Sequence, residues 1–209
     1  MRSTGSSPAT LAASARTAAG VYSVGLTLSE VLRGIPETVQ ALVFSQATRP
    51  ALAQYSARAA RHGFLLTAGV GLVLTLASGP LLPLVFGEPY REASTVFAWL
   101  FPGVIGLALS YALSPLLTLE GRVTINTMAA LLGLATLWGF MLAGPGALSL
   151  TKAALASSLA YWVVAAVQIA YIVGTGRLRG EQLVPRAADV RELVREGTAL
   201  GTLRAPRLG

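Results

Sequence analysis

The feature that most limits what this chain can fold into is the placement of its ionisable residues, which lie mainly between and after blocks of roughly 20 or more apolar residues. A helix rising ~1.5 Å per residue needs about 20 residues to cross a hydrocarbon core ~30 Å thick, so each block has the length of one membrane span. The blocks run from Gly20 to Phe44, Gly63 to Phe86, Ala93 to Thr118, Val123 to Ala143 and Leu150 to Val173. With 54% hydrophobic and 12% charged residues, the chain carries more apolar material than a soluble domain can bury. The expected fold class is all-α, a polytopic membrane helix bundle of about five transmembrane helices. Turn or charge signals separate the blocks: Gln46 to Arg61, Gly87-Glu88-Pro89, Glu120-Gly121-Arg122 and Gly144-Pro145-Gly146.

Positively charged connections tend to stay in the cytoplasm. Gln46 to His62 holds Arg49, Arg58 and Arg61, the next connection only Arg91, the third Arg122 and the fourth none. Seven of the sixteen basic residues lie from Arg177 onward. The alternation predicts a cytoplasmic C-terminus, with the Glu88 and Pro145 turns outside and the first span entered from outside.

Three segments follow in the domain plan. Residues 1–19, rich in Ser, Ala and Thr, read as disordered, residues 20–174 form the transmembrane helical domain, and residues 175–209 form a cytoplasmic basic tail. Within the tail, Pro185 to Gly197 sets Val190, Leu193 and Val194 on one side and charged residues elsewhere. That pattern suits a short amphipathic helix at the membrane surface, or else a solvated tail.

Several functions are set aside by residue content. The absence of cysteine removes disulfides, thiolate metal sites and thiol catalysis. His62 is the only histidine, read as one polar residue at the membrane surface, so neither a metal site nor a cofactor is expected. The formal charge of +7 comes without an aromatic-interleaved basic face, so nucleic acid is not an expected partner. Glu88 and Glu92, four apart, read as a solvated turn, and no catalytic arrangement emerges, so the chain is not expected to be an enzyme.

The most informative segment is Tyr22 to Gln40. At 100° per residue Tyr22, Ser29, Glu30, Arg33, Glu37 and Gln40 fall within about a third of the helix circumference. Ionisable residues at this depth usually face a bundle interior or a water-filled cavity. Glu30 and Glu37 are each spaced to reach Arg33, and Pro36 interrupts the helix ladder there. Two readings stand side by side: a self-neutralised charge cluster that fixes packing, or a cavity wall in which Arg33 binds a phosphate or pyrophosphate. On the fifth span Ser157, Tyr161 and Gln168 share a narrow arc, either a second polar wall or interhelical hydrogen bonding. Gly106, Ser110 and Ser114 on the third span read mainly as a small-residue packing stripe.

The stretch GVYSVGLTLSEVLRGIPETVQALVF, the basic loop, the FGEPY turn at Phe86 to Tyr90 with Arg91-Glu92-Ala93, and the LEGR turn at Leu119 to Arg122 together resemble a known family. It is that of the polysaccharide biosynthesis transporters, the O-antigen-type lipid-linked oligosaccharide flippases of the multidrug/oligosaccharidyl-lipid/polysaccharide superfamily. The likeness covers about Gly20 to Val173, and Ser45-Gln46 departs from the Pro-Arg pair often found there. It implies half of a two-lobed flippase, a truncated C-terminal lobe that translocates lipid-linked oligosaccharide across the bacterial inner (plasma) membrane in cell-envelope polysaccharide and lipopolysaccharide synthesis. The implied partners are membrane lipid, a polyprenyl-pyrophosphate-linked oligosaccharide and a second lobe or subunit. Candidate cavity residues are Arg33, Glu30, Glu37, Gln40, Tyr22, Tyr161 and Gln168. The alternative expectation is a non-transporting scaffold or interaction subunit of a polysaccharide synthesis complex.

Overall fold

Helices that are apolar around most of their circumference must be buried in protein or bathed in lipid, and this chain is helical along nearly all of its described length. A computed structural model describes residues 8–46, 52–143 and 149–203. Its helices are α1 (Pro8–Gln46), α2 (Leu52–Phe86), α3 (Arg91–Leu119), α4 (Val123–Leu142), α5 (Leu150–Gly174) and α6 (Ala187–Leu203), and there is no strand among the described residues. Single 3-10 turns at Glu88–Tyr90 and Gly180–Gln182 complete the path.

α3 forms the centre of the bundle. It packs against α1, α2 and α5, while α4 leans chiefly on α5. Within the most apolar stretch of each helix, 67% of α3 is buried inside the chain, against 17% of α2 and 11% of α4. The outer helices therefore present Leu72, Leu76, Leu84, Leu131, Trp138 and Leu142 to their surroundings. Exposed apolar surface on this scale is costly in water and costs nothing in hydrocarbon. Leu52–Phe86, Glu88–Leu119, Val123–Leu142 and Leu150–Gly174 are each long and apolar enough to cross a membrane, the mark of an integral membrane protein.

α1 differs. The expected span from Gly20 to Phe44 is helical throughout, yet α1 is not among those four helices, because Glu30, Arg33 and Glu37 interrupt its apolar run. It is anchored by one buried edge, with Val21, Leu32 and Val43 packed inside the bundle. The helix also begins at Pro8, so residues 8–19, expected to be disordered, are helical. A second correction concerns the basic connection: α2 starts at Leu52, placing Arg58 and Arg61 on a helix instead of in a loop. The Ala-rich run Leu52 to Ala60 has strong helix propensity, and 35 residues extend about 52 Å, well beyond an apolar layer ~30 Å thick. Residues 1–7, the Gly144-Pro145-Gly146 turn and residues 204–209 lie outside the described residues.

Small residues set the closest helix contacts. A Cβ on Gly103 would come within 2.5 Å of Ser158 Cα, and one on Gly133 within 2.7 Å of Val164 Cγ2 and 3.1 Å of the Ala160 carbonyl. Where Pro102 interrupts the α3 ladder, α5 donates to carbonyls nearby: Ser158 Oγ to Trp99 at 2.5 Å and Trp162 Nε1 to Pro102 at 3.0 Å.

α3 and α5 end alike. Arg122 N–H bonds the Leu117 carbonyl and Gly121 N–H that of Thr118, while Arg177 and Gly176 repeat the pattern on Ile172 and Val173. Both glycines have positive φ, 73° and 69°, as this helix stop requires. An ion pair between Glu120 and Arg177 joins the two turns. Arg61 of α2 reaches the same tail, donating to the Gln182 carbonyl at 2.6 Å and to Asp189 at 2.9 Å. One end of the bundle thus gathers the basic part of α2, the LEGR turn and the tail.

Candidate functional site

On the flank between α1, α3, α4 and α5 lies a cavity of about 420 Å³. Its wall is mostly apolar, made by Leu107, Ala130, Leu134, Leu137, Ala160 and Val164. Its polar lining is Gln40 from α1, Ser110, Tyr111 and Ser114 from α3, Asn126 from α4, and Tyr161 and Gln168 from α5. This combination, an apolar slot with a few oriented polar groups, and this volume suit a ligand that is itself part apolar and part polar.

Asn126 organises the polar side. Its Nδ2 donates to Ser114 Oγ at 3.0 Å and Thr118 Oγ1 at 3.1 Å, while its Oδ1 accepts from Gln168 Nε2 at 3.0 Å. Gln168 is 2% exposed, and its Oε1 has no hydrogen-bond partner among the described residues. An unmatched buried acceptor costs about 1–3 kcal/mol relative to a paired one. Gln168 therefore offers an unused acceptor beside the cavity.

Arg33 follows Leu32, which packs with Phe97 and Val104 in a buried cluster. Its Nη2 donates to the phenol oxygen of the cavity-lining Tyr111 at 3.2 Å and lies 3.5 Å from Glu37 Oε1. Its Nε is buried without a hydrogen-bond partner among the described residues. Glu37 is half-exposed and only loosely paired, and Glu30 is exposed and makes no ion pair among the described residues. The expected cluster with two carboxylates on Arg33 therefore reduces to one: the Glu30 side chain turns away from the chain's own interior, and Tyr111 takes the place beside the guanidinium.

The other expected residues divide in the same way. Gln40, Tyr161 and Gln168 meet in the main cavity, whereas Tyr22 lines a neighbouring hollow of about 220 Å³ with Ser157, Trp138 and Met141. Leu137 borders both, so the two form one flank. Gly106, Ser110 and Ser114, read from sequence mainly as a small-residue packing stripe, divide in emphasis: Gly106 packs closely against Trp162, and the buried Ser110 and the Asn126-bonded Ser114 also line the cavity. Tyr111 and Asn126 were not singled out by sequence reasoning. The available signal was that each is a polar side chain within an otherwise apolar span.

Elsewhere, Glu88 is held by a two-pronged pair with Arg91, both contacts at 2.9 Å, which leaves it committed to the start of α3. Comparison with protein-family models, with curated proteins and with solved structures returns no match for this chain.

Proposed function

We propose that this chain is a membrane transport component of the polysaccharide flippase type, whose cavity holds part of a polyprenyl-pyrophosphate-linked oligosaccharide as it crosses the bacterial inner membrane. The observation that carries this reading is the meeting of Gln40, Tyr111, Asn126 and Gln168, from four separate helices, on one apolar-walled cavity with Arg33 bonded to Tyr111. The apolar wall suits an isoprenoid chain. The amides suit sugar hydroxyls, and a guanidinium with its Nε unused suits a pyrophosphate oxygen.

A cavity of about 420 Å³ accommodates only a portion of such a substrate, so a second lobe or subunit facing this flank would complete the path. Glu37, 3.5 Å from Arg33, then competes with the substrate anion and sets how tightly it is held. The arginine-rich end is assigned to the cytoplasm, which gives the tail a cytoplasmic position.

The test is export of lipid-linked oligosaccharide by the assembled transporter carrying Arg33→Ala or Arg33→Lys. A charged hydrogen bond contributes about 1.5–3 kcal/mol, so Arg33→Ala should lower export on the order of tenfold or more at unchanged membrane abundance. Arg33→Lys keeps the charge without the planar fork and should fall between the two. Normal export by Arg33→Ala would sink the assignment.

One observation favours a second reading, a non-transporting interaction subunit: Glu30 is exposed on a helix packed within an apolar bundle, where an ionisable group calls for water or a partner. Co-purification separates the two. A stoichiometric partner that supports flux favours transport, and a synthesis enzyme bound without flux favours the interaction subunit.

A further inference from the structure

We propose that His62, Asp189 and Glu192 form a divalent-cation site that fastens the tail helix α6 to α2. The sequence separates His62 from the two carboxylates by well over a hundred residues, and the fold brings them together. His62 Nε2 lies 3.8 Å from Asp189 Oδ1 and 3.7 Å from Glu192 Oε2, and one ligand atom from each residue lies within 4.8 Å of the others.

Three features make this more than a chance meeting of charges. First, His62 Nε2 is buried and has no hydrogen-bond partner among the described residues, so the nitrogen faces both carboxylates without a bond to either. Second, Asp189 is pre-oriented from behind: its Oδ2 accepts from Arg61 Nε at 2.9 Å and from the Arg186 backbone N–H at 2.7 Å, leaving Oδ1 turned toward His62. Hydrogen bonds of this kind hold metal ligands in place. Third, Asp189 and Glu192 are three residues apart on α6, so they share one helix face.

The two His62 distances need little adjustment, while the two carboxylates, whose ligand atoms lie within 4.8 Å of one another, close through movement of Glu192. Ligand atoms about 2.1 Å from a tetrahedral ion lie roughly 3.4 Å from one another, a few tenths of an ångström inside the two His62 distances. Glu192 is 43% exposed at its side chain and free to swing inward. Two carboxylates and Arg61 leave one net negative charge with the imidazole neutral, the form in which it binds a cation. The imidazole selects a cation of intermediate softness, Zn²⁺ above all, over Mg²⁺ or Ca²⁺, which prefer oxygen alone. Water would occupy the remaining position.

The test uses the full chain in detergent micelles, purified through a tag without histidine, titrated with Zn²⁺ in the presence of excess Mg²⁺. One Zn²⁺ should bind per chain, and His62→Ala and Glu192→Gln should each weaken binding at least about tenfold. Hydrogen exchange supplies the second readout: Zn²⁺ should slow exchange in α6 of the wild-type chain and in neither variant. Glu192→Gln is nearly isosteric and lies at a partly exposed position, so it keeps the test decisive should His62→Ala fail to fold. Absence of saturable Zn²⁺ binding, binding unchanged in Glu192→Gln, or α6 protection that follows pH while ignoring Zn²⁺ would each overturn the proposal.

Discussion

At the scale of single residues, Asn126 and Gln168 share a hydrogen bond but differ in how fully their amides are paired. Asn126 makes three side-chain contacts that join α3, α4 and α5, so Asn126→Ala removes them together. Interhelical hydrogen bonds in lipid average about 0.6 kcal/mol and reach ~1.7, so this variant should lose about 1–2 kcal/mol of stability in a detergent unfolding titration. Gln168 already holds a buried acceptor, Oε1, without a partner among the described residues. Gln168→Leu removes that acceptor but also the bond to Asn126 Oδ1, leaving that oxygen unpaired, so the two effects should largely offset and stability should change by less than about 1 kcal/mol, while transport falls if the amide binds substrate. A variant that is more stable and fully active would show that the amide plays no part in binding.

At the scale of helices, close approach at small residues and the docking of α6 each admit a direct check. Gly133→Val would press a branched side chain into Val164 and the Ala160 carbonyl. Overpacking of this kind costs about 1–3 kcal/mol, and the lost α4–α5 contact should be visible as reduced cross-linking between cysteines placed on those helices. The docking of α6 carries a pH dependence. Burial pushes the Asp189 carboxyl up, but the Arg61 hydrogen bond, the Arg186 N–H and the charges of Arg61 and His62 outweigh it and hold the carboxyl below its ordinary range. The contribution of this group is therefore fully present above the ordinary carboxyl range, about pH 4, and is lost as pH falls through the lowered value. In metal-free buffer, the protection of α6 amides, taken relative to their intrinsic exchange rates at each pH, should fall toward acid, and Arg61→Gln should largely remove that dependence.

At the scale of the whole molecule, the gathering of the basic part of α2, the LEGR turn and the tail at one end makes a topology that labelling can test. Ser56 is a poor position for such a probe, because it is fully buried. Arg58 and Arg191 are exposed at the basic end and Glu92 at the other, and the absence of native cysteine makes single substitutions clean. Cysteines at Arg58 and Arg191 should react with a membrane-impermeant reagent only after the cells are opened, and one at Glu92 before. Labelling of Arg58 in intact cells would reverse the orientation.

The sequence alone determined that the chain is a helical bundle built for lipid, because block length and the exclusion of charge from the blocks are local properties with one physical solution. It also placed Gln40, Tyr161 and Gln168 on polar arcs, since helical periodicity assigns a face to each residue. It did not determine which polar faces meet. Tyr111 beside Arg33, Asn126 as the centre of the cavity's hydrogen bonds, Glu30 turned outward and His62 between two carboxylates of the tail all depend on how helices distant in sequence are rotated and packed. That rotation is decided by steric fit at places such as Gly103 and Gly133, where backbones nearly touch. Helix length was legible only in part for a related reason. An Ala-rich basic segment reads as a loop when hydropathy is the guide, yet it forms helix because propensity and packing on the tail both favour it.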